Sequence, residues 1–219
     1  MKHTAKESAL VTASHQLNGD KEVLRSFYDE WAQGYVETAF GEDYVGHWVC
    51  AKLVDGVAHA LVKSGRPHSA RILDAGCGTG LVGEQLAGIG YGDIDGVDLS
   101  AGMIEQARKT NAYGRLIADV DLNVSNHAIA DADYDLVVCC GVFIDGHVAV
   151  TALDELLRVT RSPGYLIVST RQSYLDHEPF VAHVERLLAD GKVRVVMRIE
   201  RGNYINVDTA DYWVIEKTR

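Results

Sequence analysis

The run Ile72-Leu73-Asp74-Ala75-Gly76-Cys77-Gly78-Thr79-Gly80 constrains the fold more than any other stretch of this chain. Its apolar start reads as a buried strand. An acid follows, and then glycine at every second position, which strips the coming turn of side chains. Three glycines in five residues are more than a structural turn needs, so the loop reads as bare backbone against which a flat ligand can lie. In an open α/β sheet such a loop stands beyond the carboxyl ends of the strands, where the topology reverses and ligands bind.

The rest of the chain agrees with such a sheet. Beyond the Gly65-Arg66-Pro67 breaker, strand signals at 71–75, 94–97, 116–118, 134–140 and 165–169 alternate with helical periodicity at 81–87, 101–110, 148–159 and 179–188. The Ser162-Pro163-Gly164 turn leads into the fifth strand, and 193–200 and 212–216 read as a closing hairpin. Ahead of the breaker, Val23, Leu24, Phe27, Tyr28, Trp31 and Tyr35 fall at helical spacing, as do Trp48, Val49, Leu53, Val54, Val57 and Leu61. The expectation is one α/β domain in three parts: a flexible arm over 1–18, frayed or a poorly ordered helix, two cap helices within 19–64, and a core over 65–219. That core is a doubly wound, mostly parallel seven-stranded sheet with an antiparallel C-terminal hairpin.

Composition narrows the partners. A formal charge of −10 with basic residues clustered only weakly, around Arg194, Arg198 and Arg201, argues against a nucleic-acid backbone. Cys50, Cys77, Cys139 and Cys140 lack metal-ligand spacing and fit free thiols in a reducing compartment, with no metal expected. No apolar run approaches a membrane span of about 20 residues, and the N-terminus lacks a signal-peptide core. A cytoplasmic location is expected, with no membrane partner.

Two cofactors compete for the glycine loop. A dinucleotide fingerprint G-x-G-x-x-G counted from Gly76 would require glycine where Leu81 stands, and the register starting at Gly78 falls inside the coming helix. Farther on, Gly96-Val97-Asp98-Leu99-Ser100 puts a carboxylate at the tip of the second strand, where it can accept both hydroxyl protons of a ribose diol. Ser100, rather than Asp98, is placed to cap the next helix. Ile117-Ala118-Asp119-Val120 ends the third strand on another acid.

The run Leu73 to Gly80, with its acid and alternating glycines, resembles motif I of the class I S-adenosylmethionine-dependent methyltransferases, a Rossmann-like fold. With Leu156-Leu157-Arg158-Val159-Thr160-Arg161-Ser162-Pro163-Gly164 the likeness extends over roughly 70–170. It implies S-adenosylmethionine as cofactor, held by Asp74, Gly76, Cys77, Gly78, Gly80, Asp98, Leu99, Met103, Asp119, Val120, Cys140 and Gly141, with Asp119 accepting from the adenine amino group. Phe27-Tyr28-Asp29-Glu30-Trp31-Ala32-Gln33-Gly34-Tyr35 is similar to the Tyr-Asp-x-Trp-Ala-x-x-Tyr segment of small-molecule methyltransferases, including the Williams-Beuren-region methyltransferase-like proteins. That likeness implies that Tyr28, Trp31 or Tyr35 touches the methionine end. Val36 departs from the pattern, which has an acid there, and an aromatic stripe packing on the sheet is the competing reading for Trp31.

A sulfonium is already an activated methyl donor, so the enzyme's tasks are alignment and exclusion of water. Aromatic faces can stabilise the cation; Tyr35 and Phe143 are candidates by location, and Phe143 is equally a core candidate. A protonated acceptor also benefits from a base. Gly141-Val142-Phe143-Ile144-Asp145-Gly146-His147 carries two, Asp145 and His147, each with an alternative reading as a turn or helix-terminal residue. Phe143, Tyr174 and Tyr204 are candidate substrate contacts by position. Methyl transfer to a small molecule is the leading expectation. Cyclisation of the cofactor with release of methylthioadenosine, and a non-catalytic cofactor-binding module, are the alternatives.

Overall fold

Successive residues of the central strands point to opposite sides, and both sides are covered. In a computed structural model, which describes residues 9–14, 16–61 and 67–219, strand β1 (Ile72–Ala75) sends Leu73 and Ala75 into one core and Ile72 into the other. Strand β4 (Tyr134–Phe143) divides likewise, with Val137 and Cys139 opposed to Leu136, Val138 and Cys140. Parallel strands buried on both faces need near-continuous apolar runs, which is why these segments stand out in the sequence.

The remaining strands are β2 (Ile94–Val97), β3 (Arg115–Ile117), β5 (Thr160–Arg171), β6 (Val193–Ile205) and β7 (Asp208–Lys217), in the order β3-β2-β1-β4-β5-β7-β6. The first five run parallel, and β7 pairs antiparallel with both β5 and β6. This is the expected seven-stranded sheet with its antiparallel hairpin. The order reverses between β1 and β4, so a crevice opens at their carboxyl ends. Helices α4 (Gly46–Leu61) and α5 (Leu81–Gly88) cover one face through Cys50, Val54, Val82 and Leu86. The other is covered by α7 (Ala152–Val159) and α9 (Phe180–Ala189) through Leu153, Leu156, Phe180 and Leu187. Helix α6 (Ala101–Lys109) packs Ile104 and Ala107 against Cys77, and the short α8 (Gln172–His177) follows β5.

Two boundaries differ from expectation, and one alternative is decided. The two expected cap helices are three, α2 (Lys21–Trp31), α3 (Tyr35–Gly41) and α4, because the chain turns at Gly34, whose N–H donates to the Trp31 carbonyl; the aromatic spacing carries across that break and hides it. Part of the expected arm forms α1 (Ala9–Ser14), with Val11 and Ser14 buried; residues 1–8 of the arm, and Gly65 and Arg66 of the breaker, lie outside the described residues. Ser162-Pro163-Gly164 sits inside β5, where the register shifts between Tyr134↔Thr160 and Leu136↔Tyr165. A local irregularity absorbs the turn signal instead of separating helix from strand. Among the described residues no helix is long and apolar enough to cross a membrane.

Candidate active site

The loop after β1 is braced on the end of β2. The N–H groups of Gly76 and Cys77 both donate to the Val97 carbonyl, at 2.8 and 2.9 Å. Gly78 N–H donates to Asp98 Oδ2 at 2.8 Å, and Ser100 N–H donates to Asp98 Oδ1 at 2.9 Å. Gly76 has φ +73 and a Cβ there would lie 2.3 Å from Val142 Cγ2, so both backbone and packing require glycine. Gly78 also has a positive φ, +54, yet a Cβ on it would meet nothing within 4 Å. Its missing side chain leaves open space on the cleft side of the loop. Burial pushes the Asp98 carboxyl up to about 6, against the opposing pull of the Ser100 and Gly78 N–H groups.

Beside this loop lies a cleft of about 1000 Å³, including the solvent at its mouth, a size that suits a nucleoside-sized ligand. Its loop side is made by Gly76, Cys77 and Gly78, and its β2 side by Asp98, Leu99 and Met103. Val120 faces it from the segment after β3, and Cys140 and Gly141 from the end of β4. The cap contributes Tyr28 and Tyr35. The cap is tied down by Asp29, whose Oδ1 accepts from Ser100 Oγ and from Gly102 N–H at the start of α6. Ser100 is the helix cap, accepting from Met103 N–H at 3.0 Å. One carboxylate next to Tyr28 thus fixes the cap helix against the start of α6, on the glycine-loop side of the sheet.

Tyr28 Oη stands 2.6 Å from His147 Nε2, and His147 Nδ1 lies 2.8 Å from the Asp145 carbonyl. A carbonyl only accepts, so Nδ1 carries the ring proton and Nε2 accepts from the phenol. His147 faces the cleft; the Asp145 carboxylate instead turns outward to His177 Nδ1 at 3.0 Å. Of the two candidate bases, only the imidazole is aimed at the ligand space.

A second chamber of about 500 Å³, again including solvent at its mouth, adjoins the first and shares Tyr28, Tyr35, Tyr44 and Gly141 with it. Trp31, Arg171 and Tyr204 complete much of its wall. Gly141 has φ +77, and a Cβ there would come within 2.9 Å of Tyr204 Oη, so glycine lets the phenol approach the strand end. Tyr44 Oη lies 3.1 Å from Cys140 Sγ; hydrogen bonds from Cys50 first, and from Tyr44 and Ser169, hold that thiol below its usual range. Burial pushes the Tyr35 phenol up to about 12, so the chamber presents neutral hydroxyls.

Several expected site residues lie elsewhere. Phe143 and Tyr174 are corrected from substrate contacts to core: both are 0% exposed and meet edge to face with centroids 5.8 Å apart, and the Tyr174 hydroxyl donates to the Val148 carbonyl. Positions beyond a strand tip are read as ligand-facing, but these side chains point down into the α8–α9 side of the sheet. Asp74 does not line the cleft; its Oδ2 accepts from Tyr113 Oη at 2.7 Å beneath the loop. Gly80, with φ +93, packs toward Ala107 of α6. Asp119 is exposed and pairs with Arg25 at 3.3 Å, while Asp121 lines the cleft.

Sequence reasoning missed Tyr44, His47, Thr79, Asp121 and Arg171, all of which line one of the two cavities. Tyr44 lies just before α4 and His47 in its first turn, and neither carried a motif; Arg171 ends β5. Among the described residues one group, Asp55, His59 and His68, has metal-ligating atoms within 4.8 Å of one another, and none of the three lines either cavity.

Residues 72–164 match a family described as a methyltransferase domain. Over 163 residues the chain is 36% identical to methyltransferase-like protein 27 of Homo sapiens, covering 74% of this chain and 63% of that protein, so it spans less than two thirds of that relative. In fold it is similar to a TehB-like SAM-dependent methyltransferase from Corynebacterium glutamicum, with TM-score 0.64, 22% identity, and coverage of 88% of this chain and 99% of that one. It is also similar to a magnesium protoporphyrin IX methyltransferase from Synechocystis with bound SAM, with TM-score 0.63, 22% identity, and coverage of 91% and 97%.

Proposed function

This chain belongs to the class I S-adenosylmethionine-dependent methyltransferases, and from that premise we propose that it transfers a methyl group to a small organic acceptor with release of S-adenosylhomocysteine. The residues present fit the cofactor. Gly78 leaves open backbone where the ligand would lie, and each Asp98 oxygen, already accepting one backbone N–H, has a further lone pair for a ribose hydroxyl. When bound, S-adenosylmethionine supplies the electrophilic methyl on its sulfonium.

The remaining work belongs to the protein. Leu99, Met103 and Val120 would offer apolar surface to the adenine, and Asp121, the acid after β3 that lines the cleft, would accept from its amino group. Tyr28 and Tyr35 turn aromatic surface to the space where the sulfonium would sit, a contribution of about 0.5–2 kcal/mol for each well-placed ring. Tyr28 and His147 form a proton path: Nε2 can take the phenol proton as the phenol receives one from the acceptor.

The observation that carries this reading is the shared wall. The cofactor cleft and the second chamber meet at Tyr28, Tyr35, Tyr44 and Gly141, which gives donor and acceptor separate spaces with one common boundary. An acceptor seated among Tyr28, Trp31, Tyr35, Tyr44 and Tyr204 would be a small molecule, and the magnesium protoporphyrin methyltransferase offers a precedent on this fold. The test is incubation with S-adenosylmethionine bearing a deuterated methyl and a small-molecule extract, followed by mass spectrometry, alongside calorimetry with S-adenosylhomocysteine and NADH. The expected result is S-adenosylhomocysteine binding, no NADH binding, and a labelled small molecule. NADH binding alone overturns the reading, and methylthioadenosine formed without any acceptor replaces it with cyclisation of the cofactor.

A further inference from the structure

The end of the sheet away from the cleft carries a second cluster of chemistry-bearing side chains. Asp55 and His59 stand four residues apart in the second half of α4, so one face of the helix presents both. His68 belongs to the short turn of 3-10 helix, Pro67–Ser69, that leads into β1, and Tyr91 comes just before β2. The side chains meet. His59 Nδ1 lies 3.1 Å from Asp55 Oδ1, and Tyr91 Oη donates to the same oxygen at 3.0 Å. The His68 ring stands edge-on to His59 at 5.6 Å and to Tyr91 at 4.9 Å. Three separate segments thus converge at the amino ends of β1 and β2.

Two imidazoles and a carboxylate suit a divalent first-row metal, and zinc in particular. One ligating atom from each of Asp55, His59 and His68 lies within 4.8 Å of the other two. Around a tetrahedral ion with ligands at about 2.0–2.2 Å, such atoms stand roughly 3.3–3.6 Å apart. Closure therefore needs a movement of about 1.5 Å at most, and His59 and His68 are exposed, so their rings can turn to supply it. The carboxylate is the fixed point. Tyr91, which holds it, is 2% exposed and packs in the core beneath α4, and outer hydrogen bonds of this kind orient metal ligands. Gly90 makes room for the third ligand: it has φ +108, and a Cβ there would lie 3.3 Å from His68 Nδ1.

We propose that Asp55, His59 and His68 bind a zinc ion that staples the second half of α4 to the segment entering β1, with Tyr91 as the positioning residue of the carboxylate. None of the three ligands lines either cavity, and the cleft opens at the opposite ends of these strands. Zinc there acts on stability, because the site is assembled only in the folded chain. The expectation of no metal rests on cysteine spacing, whereas these donors are imidazole and carboxylate gathered from two elements.

The test is calorimetry of the untagged, chelator-stripped full chain with zinc chloride, paired with thermal unfolding. The expected result is one zinc per chain with Kd of about 10 μM or tighter, and a Tm raised by about 5–10 °C at a roughly 100-fold excess over Kd. His68→Ala and Asp55→Asn should each weaken zinc by about tenfold or more, and Asp55→Asn, which keeps the shape of the side chain, decides the matter if His68→Ala fails to fold. Tyr91→Phe keeps the buried ring and should also weaken zinc about tenfold, which a chance pair of surface histidines would not show. Magnesium chloride is expected to give no binding, since that ion prefers an all-oxygen shell. Absence of zinc binding at about 100 μM, or binding unchanged in His68→Ala and Asp55→Asn, overturns the site. Equal affinity for magnesium overturns the assignment to zinc, and unchanged affinity in Tyr91→Phe overturns the positioning role.

Discussion

Tyr28 Oη and His147 Nε2 lie 2.6 Å apart, joining the cap helix to the loop after β4 across 119 positions of sequence. Both residues line the cleft beside the glycine loop. The contact also sets the tautomer of the imidazole, because Nδ1 is committed to the Asp145 carbonyl.

Removing either partner should therefore affect both stability and turnover. In a double-mutant cycle of Tyr28→Phe and His147→Ala, chemical denaturation should report a coupling of about 0.5–3 kcal/mol. With an acceptor in hand, His147→Ala should lower kcat about 100-fold, the lower end of general-base contributions. Additive stability losses with unchanged kcat would leave the pair without a role in proton transfer.

Asp98 predicts a pH-dependent affinity. Burial pushes its carboxyl up to about 6, and a ribose diol donating to it favours the ionised form. Binding therefore draws off a proton below that pH and gains nothing further above it. The advantage of wild type over Asp98→Asn in S-adenosylhomocysteine affinity should grow from pH 5 to pH 7 and then level off. Calorimetry at three pH values checks this, and an advantage constant with pH contradicts it.

Asp74 predicts the stability of the ligand-free protein. Burial pushes its carboxyl up to about 7, against the opposing pull of the Tyr113 hydroxyl. An acid whose pKa is raised on folding binds more protons folded than unfolded between its ordinary value and about 7. By linkage, its contribution to stability is full below that window and is lost as pH rises through it. Asp74→Asn should flatten the fall in Tm between pH 5 and pH 8 relative to wild type. A parallel pH profile in the two proteins would show that Asp74 is ionised throughout.

The two loop glycines should separate fold from binding. Gly76→Ala meets both the left-handed φ of +73 and the Val142 side chain at 2.3 Å, so it should destabilise by about 2–5 kcal/mol, from roughly 1–2 for the backbone and 1–3 for overpacking. Adding Val142→Ala should recover the packing part only. Gly78→Ala, with φ +54 and open space around its Cβ, should cost only about 1–2 kcal/mol but reduce S-adenosylhomocysteine affinity more than tenfold, because the new methyl enters the cleft. Denaturation midpoints and calorimetry distinguish the two effects.

The sequence by itself determined the sheet and the ligand loop. The mainly apolar stretches at 71–75, 94–97 and 134–140 read as strands of a sheet covered on both faces, and the alternating glycines from Gly76 to Gly80 give a side-chain-free turn at the point where the strand order reverses. Those are local signals, written in periodicity and in residues whose backbone freedom is unusual. Direction of side chains beyond a strand tip is not local. Phe143 and Tyr174 looked like ligand contacts and are core, because the helices α8 and α9 fold back over them. Asp74 looked like a cofactor ligand and faces Tyr113, because alternation along β1 turns it beneath the loop. His47, Thr79 and the pairing of Tyr28 with His147 became visible only once α2 and α4 were set against the sheet. Contact between side chains so far apart in the chain is a property of three-dimensional packing, and no spacing in the sequence records it.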